Sequence, residues 1–145
     1  MRLWHYKLIP ALPNQMLVSQ WRECIAIKRQ WEKGTLKHRL VSYVMDYDEE
    51  YFANYTQRLV EEMRKRQIKF KEEYYAEILD FCLIDNCRTA EYEYKVYPEH
   101  NDRYLLQCFC NLQEKYDRGI ISYDEWSKIL MNESVYNILN LLKEE

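Results

Sequence analysis

Only two glycines, Gly34 and Gly119, and three prolines stand among 145 residues, of which 48% are hydrophobic. A chain so poor in turn-forming residues has few places to reverse, and its apolar positions recur at helical rather than alternating spacing. Both glycines follow such a stretch, where glycine serves as a helix stop. The pattern predicts an all-α protein, a single compact helical domain over residues 1–145, and a length suited to one core. No segment alternates as a strand does, no internal repeat is visible, and there is no glycine-rich phosphate loop.

Residues 1–13 hold Pro10 and Pro13 and show no helical period, which predicts an extended N-terminal arm. A helix should start at Asn14 and stop at Gly34, burying Leu17, Trp21, Cys24, Ile25 and Trp31 on one side. Residues 36–45 read as a short helix or half-buried segment, and Asp46 to Glu50 as a polar turn. Further helices are expected from Tyr51 to about Ile68, over 71–86 and over 101–117. Ser122-Tyr123-Asp124-Glu125 matches a capping box, and Asn132 suits the cap of a last helix. Between them, 89–99 is a tyrosine-rich connection containing Tyr92, Tyr94, Lys95 and Tyr97, which could stack on unpaired bases or form a local cluster. Arg64-Lys65-Arg66 at a helix end is read first as capping, with phosphate contact as the alternative.

Net charge is −3, but it is unevenly spread. Residues 1–42 hold eight Lys and Arg against two acids, Glu23 and Glu32, and the remainder is net −9. A basic first third on an acidic body fits a one-sided polyanion footprint, although a charge run is also an ordinary wet surface. The five cysteines are odd in number and no signal-peptide pattern precedes them, so reduced thiols in the cytoplasm are expected. Cys82-x4-Cys87 and Cys108-x-Cys110 lack zinc spacing, so neither metal nor cofactor is expected. No apolar run approaches the ~20 residues of a membrane span, so a soluble protein without membrane contact is expected; a monomer is expected as well.

On the first helix, Glu23 lies about 200° round from Trp21 and so points away from the core. Around it stand the short side chains of Ser19 and Ala26 and the polar or basic Gln15, Arg22, Arg29 and Lys33. A carboxylate framed by cations suits an anionic substrate, and it also suits a solvated face with ordinary ion pairs.

Leu12-Pro13-x-Gln15-x-Leu17, followed by Arg22-Glu23 and preceded by Met1-Arg2-Leu3-Trp4, resembles the pyrimidine dimer DNA glycosylase (endonuclease V) family. His100-Asn101-Asp102-Arg103-Tyr104-Leu105-Leu106-Gln107 and the stretch Asn111 to Asp117 resemble a short bacterial and phage branch of it. The resemblance implies a repair glycosylase with AP lyase activity on double-stranded DNA carrying a damaged or modified pyrimidine. It implies that the α-amine of the mature chain attacks C1′, expels the base and leaves a Schiff base, from which β-elimination cuts the strand. An α-amine titrates at ~7.7–8.0 against ~10.4 for lysine, so more of it is neutral in a cell. Glu23 inherits the family's catalytic carboxylate, which steadies the cationic sugar and moves protons. Arg2, His5, Gln15, Arg22, Arg29 and Lys33 are the candidate DNA contacts.

Two departures matter. The best-known family member exposes a threonine after losing its initiator Met, whereas the large Arg2 here should leave Met1 in place to supply the amine. A basic residue that the family carries three positions after the Glu is Ala26 here, so phosphate grip would rest on Arg22, with Lys28 or Arg29 compensating. Two other classes compete. A non-catalytic helical module, such as a bacterial or phage accessory protein binding DNA or a host protein, would need no free amino terminus. A metal-dependent nuclease is disfavoured because Asp46, Asp48, Glu49 and Glu50 form a run rather than a ligand-spaced cluster.

Overall fold

The computed structural model describes residues 1–83 and 95–143. Among these, no strand occurs; six α-helices and two 3-10 helices carry the chain, which is all-α. The helices are α1 (Asn14–Lys33), α2 (Glu49–Lys65), α3 (Glu72–Phe81), α4 (Asp102–Asp117), α5 (Tyr123–Leu130) and α6 (Glu133–Lys143), and the 3-10 turns cover Tyr6–Ala11 and Ser42–Asp46. Contacts within the chain gather in two compact units: Met1–Leu3 with Leu17–Tyr97, and Trp4–Met16 with Pro98–Glu145.

Three helices end in the same way. Gly34 has φ +72° and donates to Trp31 O at 3.0 Å while Thr35 N–H reaches Gln30 O at 2.8 Å, the paired bonds of a Schellman stop. Gly119 repeats it after α4, with φ +78° and bonds from Gly119 to Tyr116 O and from Ile120 to Lys115 O, both 2.9 Å. α2 makes the same stop without glycine: Gln67 holds φ +60° while Ile68 N–H donates to Met63 O at 2.8 Å. A side chain there costs about 1 kcal/mol that glycine would avoid.

In the first unit, the buried side of α1 includes Leu17, Trp21, Cys24, Ile25 and Ile27, and α2 buries Phe52, Leu59, Val60 and Met63. The two α1 tryptophans set the packing through edge-on contacts. Trp21 meets Phe70 at 5.6 Å and Tyr75 at 6.2 Å; the half-buried Trp31 meets Phe52 at 5.9 Å and Phe81 at 5.1 Å. The turn expected at 46–50 is shorter than its composition suggests, because Asp48 accepts from Glu50 N–H and caps α2 directly. Tyr97 is buried among Tyr43, Tyr47 and Tyr51, and Lys95 pairs with Glu50 and with Asp48, so these two members of the tyrosine-rich connection serve the fold. Tyr92, Tyr94 and Cys87 lie outside the described residues.

The second unit has a core of Trp4, Leu8, Leu12, Met16, Leu105, Cys108, Phe109, Leu112, Ile121, Trp126, Ile129, Val135 and Ile138. Trp126 stacks on Phe109 at 5.4 Å and on Tyr116 at 5.1 Å, the latter pair only 7° from parallel. Ser122 and Glu125 form the complete capping box of α5, and Asn132 accepts from Val135 N–H at 3.1 Å to start α6. The arm is not extended throughout: Leu12 is, but Tyr6–Ala11 coil because His5 Nδ1 accepts from Lys7 N–H at 3.1 Å and caps the turn. Burial of Leu8 and Ile9 completes that coil.

Candidate active site

The arm begins on the first unit. Leu3 is fully buried, Arg2 is half-buried and Met1 is exposed, so an apolar anchor two residues in holds the chain start at the surface. α1 supplies the other half of the site. Glu23 is half-buried and Arg22 exposed, as expected one residue to the solvent side of a buried stripe.

Gln20 joins these parts. Its Nε2 donates to the Arg2 carbonyl at 2.9 Å and to Glu23 Oε2 at 3.1 Å, and its Oε1 accepts from the Tyr55 hydroxyl at 3.1 Å. Gln20 is 1% exposed and Tyr55 2%. Both acceptors of Nε2 are oxygens that only accept, which dictates the amide orientation. The Arg2 carbonyl and Glu23 Oε2 cannot be farther apart than those two bonds laid end to end. Met1 is one residue of chain from that carbonyl, and successive Cα atoms are about 3.8 Å apart. Neither Gln20 nor Tyr55 was among the candidates drawn from sequence. For Gln20 a signal existed, since it stands three residues before Glu23, the spacing that brings helical side chains together; for Tyr55, on another helix, there was none.

The remaining candidates fall in different settings. Lys33 is exposed in the last turn of α1. Arg29 is half exposed but bonds Glu77 Oε2 through Nε at 3.2 Å and lies over the Tyr74 ring at 5.3 Å. Lys28 is buried, paired with Glu32 and, at 3.4 Å, with Glu77. Burial alone would lower the Lys28 ammonium, yet its bonds to the two carboxylates outweigh this and hold it above the ordinary lysine value. Lys28 and Arg29, the two residues expected to compensate for Ala26, both meet Glu77 of α3, distant in sequence. Of the Arg64-Lys65-Arg66 run, Arg64 pairs with Glu72 at 2.9 Å and Arg66 with Glu62 at 2.8 Å.

Gln15 and His5 belong to the other unit. Gln15 is exposed and donates to Ile120 O at 3.4 Å. His5 departs from the sequence expectation of a DNA contact: it is 1% exposed, stacked on Tyr6 at 4.9 Å and beside His100 at 5.4 Å. Its ring serves the arm. His100 Nδ1 in turn accepts from Tyr6 N–H at 3.2 Å. Burial, reinforced by Lys7, lowers His5 from 6.5 to about 4, and burial followed by the charge of His5 lowers His100 to about 3, so both are neutral at pH 7.

Among the described residues, no group of three or more His, Cys, Asp and Glu side chains is placed to hold a metal ion, and no helix is long and apolar enough to cross a membrane. Cys24, Cys82, Cys108 and Cys110 are free thiols. No curated protein and no solved structure matches the chain. The family model of the pyrimidine dimer DNA glycosylases does, over residues 1–76, just over half of the 145. That stretch contains Met1, Arg2, Gln20, Arg22, Glu23 and Tyr55, and the chain belongs to the pyrimidine dimer DNA glycosylase family.

Proposed function

We propose that this protein is a DNA glycosylase with AP lyase activity, acting as a monomer on double-stranded DNA that carries a damaged pyrimidine, a pyrimidine dimer by family, in the cytoplasm of a bacterial cell or phage-infected host. Family membership supports a DNA repair glycosylase. The finer reading rests on one observation: Gln20 bonds both the Arg2 carbonyl and Glu23, which holds the first residues of the chain close to the Glu23 carboxylate.

In this reading the lone pair of the Met1 amine attacks C1′ of the flipped nucleotide, and the C1′–N bond to the base breaks. The base departs with its electron pair and takes up a proton. Glu23 steadies the positive charge that develops on the sugar and accepts the proton the amine must lose. The C1′–O4′ bond of the adduct then breaks, O4′ taking up the proton held by Glu23, and the protonated imine so formed acidifies a C2′ hydrogen, whose loss in β-elimination expels the 3′ phosphate. Flipping costs a few kcal/mol and is cheapest at a damaged base. Arg22, exposed beside Glu23, supplies the phosphate contact, with Arg2 and Lys33 as further cations.

Borohydride trapping on an abasic-site duplex tests the reading. A covalent adduct should form with the native amino terminus and vanish when a tag precedes Met1 or the amine is acetylated, while Lys33→Ala should leave it intact. An adduct that survives the block and maps to a lysine by mass spectrometry would overturn the assignment to Met1, and no adduct from the native protein would overturn the lyase reading.

A further inference from the structure

We infer that Gln20 is the positioning residue of this site, locked by Tyr55, and that its amide sets the distance between the amino-terminal segment and Glu23. The inference rests on the glycosylase reading for its consequence in catalysis, though the placement of the segment is a property of the fold alone.

A glutamine side chain at 1% exposure is an expensive choice for a helix position. Left without partners, its amide would cost on the order of 1–3 kcal/mol, and an apolar residue beside Leu17, Trp21 and Cys24 would pack without that risk. Here both amide hydrogens are used, one on the main chain of residue 2 and one on Glu23 Oε2. What these bonds add is geometry. The same nitrogen fixes a main-chain atom one residue from Met1 and one oxygen of the carboxylate.

Turning the amide over would set the Gln20 carbonyl against two acceptors, the Arg2 carbonyl and Glu23 Oε2. Tyr55 adds a tether: its hydroxyl donates to Gln20 Oε1 and ties the far end of the amide on α1 to α2. Leu3, fully buried, anchors the segment from its other side.

The effect is one of approach rather than of chemistry, so it should appear in rate and not in affinity. With a native amino terminus and an abasic-site duplex, Gln20→Met, of equal length but without donors, should slow single-turnover borohydride trapping by about 100-fold, the scale of a 1 Å misplacement. Duplex affinity should stay within about twofold. Tyr55→Phe, losing one hydrogen bond, should slow trapping by roughly fivefold. In parallel, NMR order parameters of the Arg2 and Leu3 amides should fall from rigid values, about 0.85, to below about 0.6 in Gln20→Met.

Trapping within twofold of wild type in a folded Gln20→Met protein would overturn the inference, as would a matching loss of affinity, which would point to general damage. Unchanged order at Arg2 and Leu3 would overturn it equally. Should Gln20→Met fail to fold, Tyr55→Phe carries both measurements, and full order with full rate in that variant defeats the lock. A wild-type protein that forms no adduct would defeat the glycosylase reading, leaving the NMR measurement to decide positioning by itself.

Discussion

The two units bury polar groups of different kinds. In the first, the buried polar side chains include Gln20, Tyr55, Asn54 and Thr56, none of which changes charge near neutral pH, together with the ion-paired Lys28. In the second, they are His5 and His100, which sit together with Tyr6 and Tyr104. The site proposed for the first unit, which would hold a carboxylate and an amine in register across physiological pH, is better built on amides and hydroxyls than on imidazoles. The histidines serve where only the arm's local shape depends on them, with His5 capping a 3-10 turn and His100 accepting from its first residue.

The largest expected effect breaks the comparison if it fails. Glu23→Gln should reduce strand cleavage at least about 1000-fold, and it should leave duplex binding equal or tighter because a charge that repels phosphate is gone. Arg22→Ala should instead weaken binding and reduce the slope of log K against log salt by about 1. The matched change in the second unit, His100→Asn, should leave single-turnover cleavage within twofold, since Asn still offers Tyr6 an acceptor. Loss of cleavage in His100→Asn would show that chemistry is not confined to the first unit.

Acid stability sharpens the contrast. Unfolded imidazoles take up protons near pH 6.5, but the folded ones do so only near 4 for His5 and 3 for His100. Between those values the unfolded chain binds more protons, so stability is complete above about pH 6.5 and falls as pH drops toward 4 and then 3. The loss from His5 alone is on the order of 3 kcal/mol, and for so close a pair the two contributions are shared rather than additive. His5→Asn keeps a side-chain acceptor for Lys7 N–H and removes the titration. Its unfolding free energy, measured by denaturant between pH 7 and 4, should be lower by about 1 kcal/mol at pH 7 yet decline less steeply with acid than that of wild type. A parallel decline would mean that the first unit sets acid stability.

The smallest effect concerns the shared helix stop. Gly34→Ala should cost about 1 kcal/mol through φ alone, because nothing lies within 4 Å of where its Cβ would fall. Gln67→Gly should give back a similar amount, raising Tm by roughly 3 °C. Equal responses at the two stops would show that α1 and α2 end by the same physics despite different residues.

Helix content was legible from the chain alone because it depends on near-neighbour facts. Two glycines at stops, a capping box at Ser122 and apolar residues every third or fourth position suffice to locate α1, α4, α5 and α6, whatever packs against them. Family membership was legible for a related reason: Met1-Arg2-Leu3-Trp4, Leu12 to Leu17 and Arg22-Glu23 are short runs of sequence, readable whatever packs against them, and all lie within the matched residues 1–76. The coil at Tyr6–Ala11 was not, since two prolines suggested extension and the cap that opposes it depends on the orientation of the His5 ring.

What only the tertiary structure decided is who meets whom across elements. Charge counting could not tell that Glu77 of α3 takes Lys28 and Arg29, or that the arm turns His5 inward, because both depend on partners 48 to 95 residues away in sequence. The same holds for Gln20. Its hydrogen-bonding capacity is written in the sequence, but its partners, a carbonyl 18 residues earlier and a hydroxyl 35 residues later, are brought to it by packing. Local propensity determines where a helix runs; burial of its apolar face determines which polar groups are carried inside with it, and those groups must then find one another or remain unsatisfied.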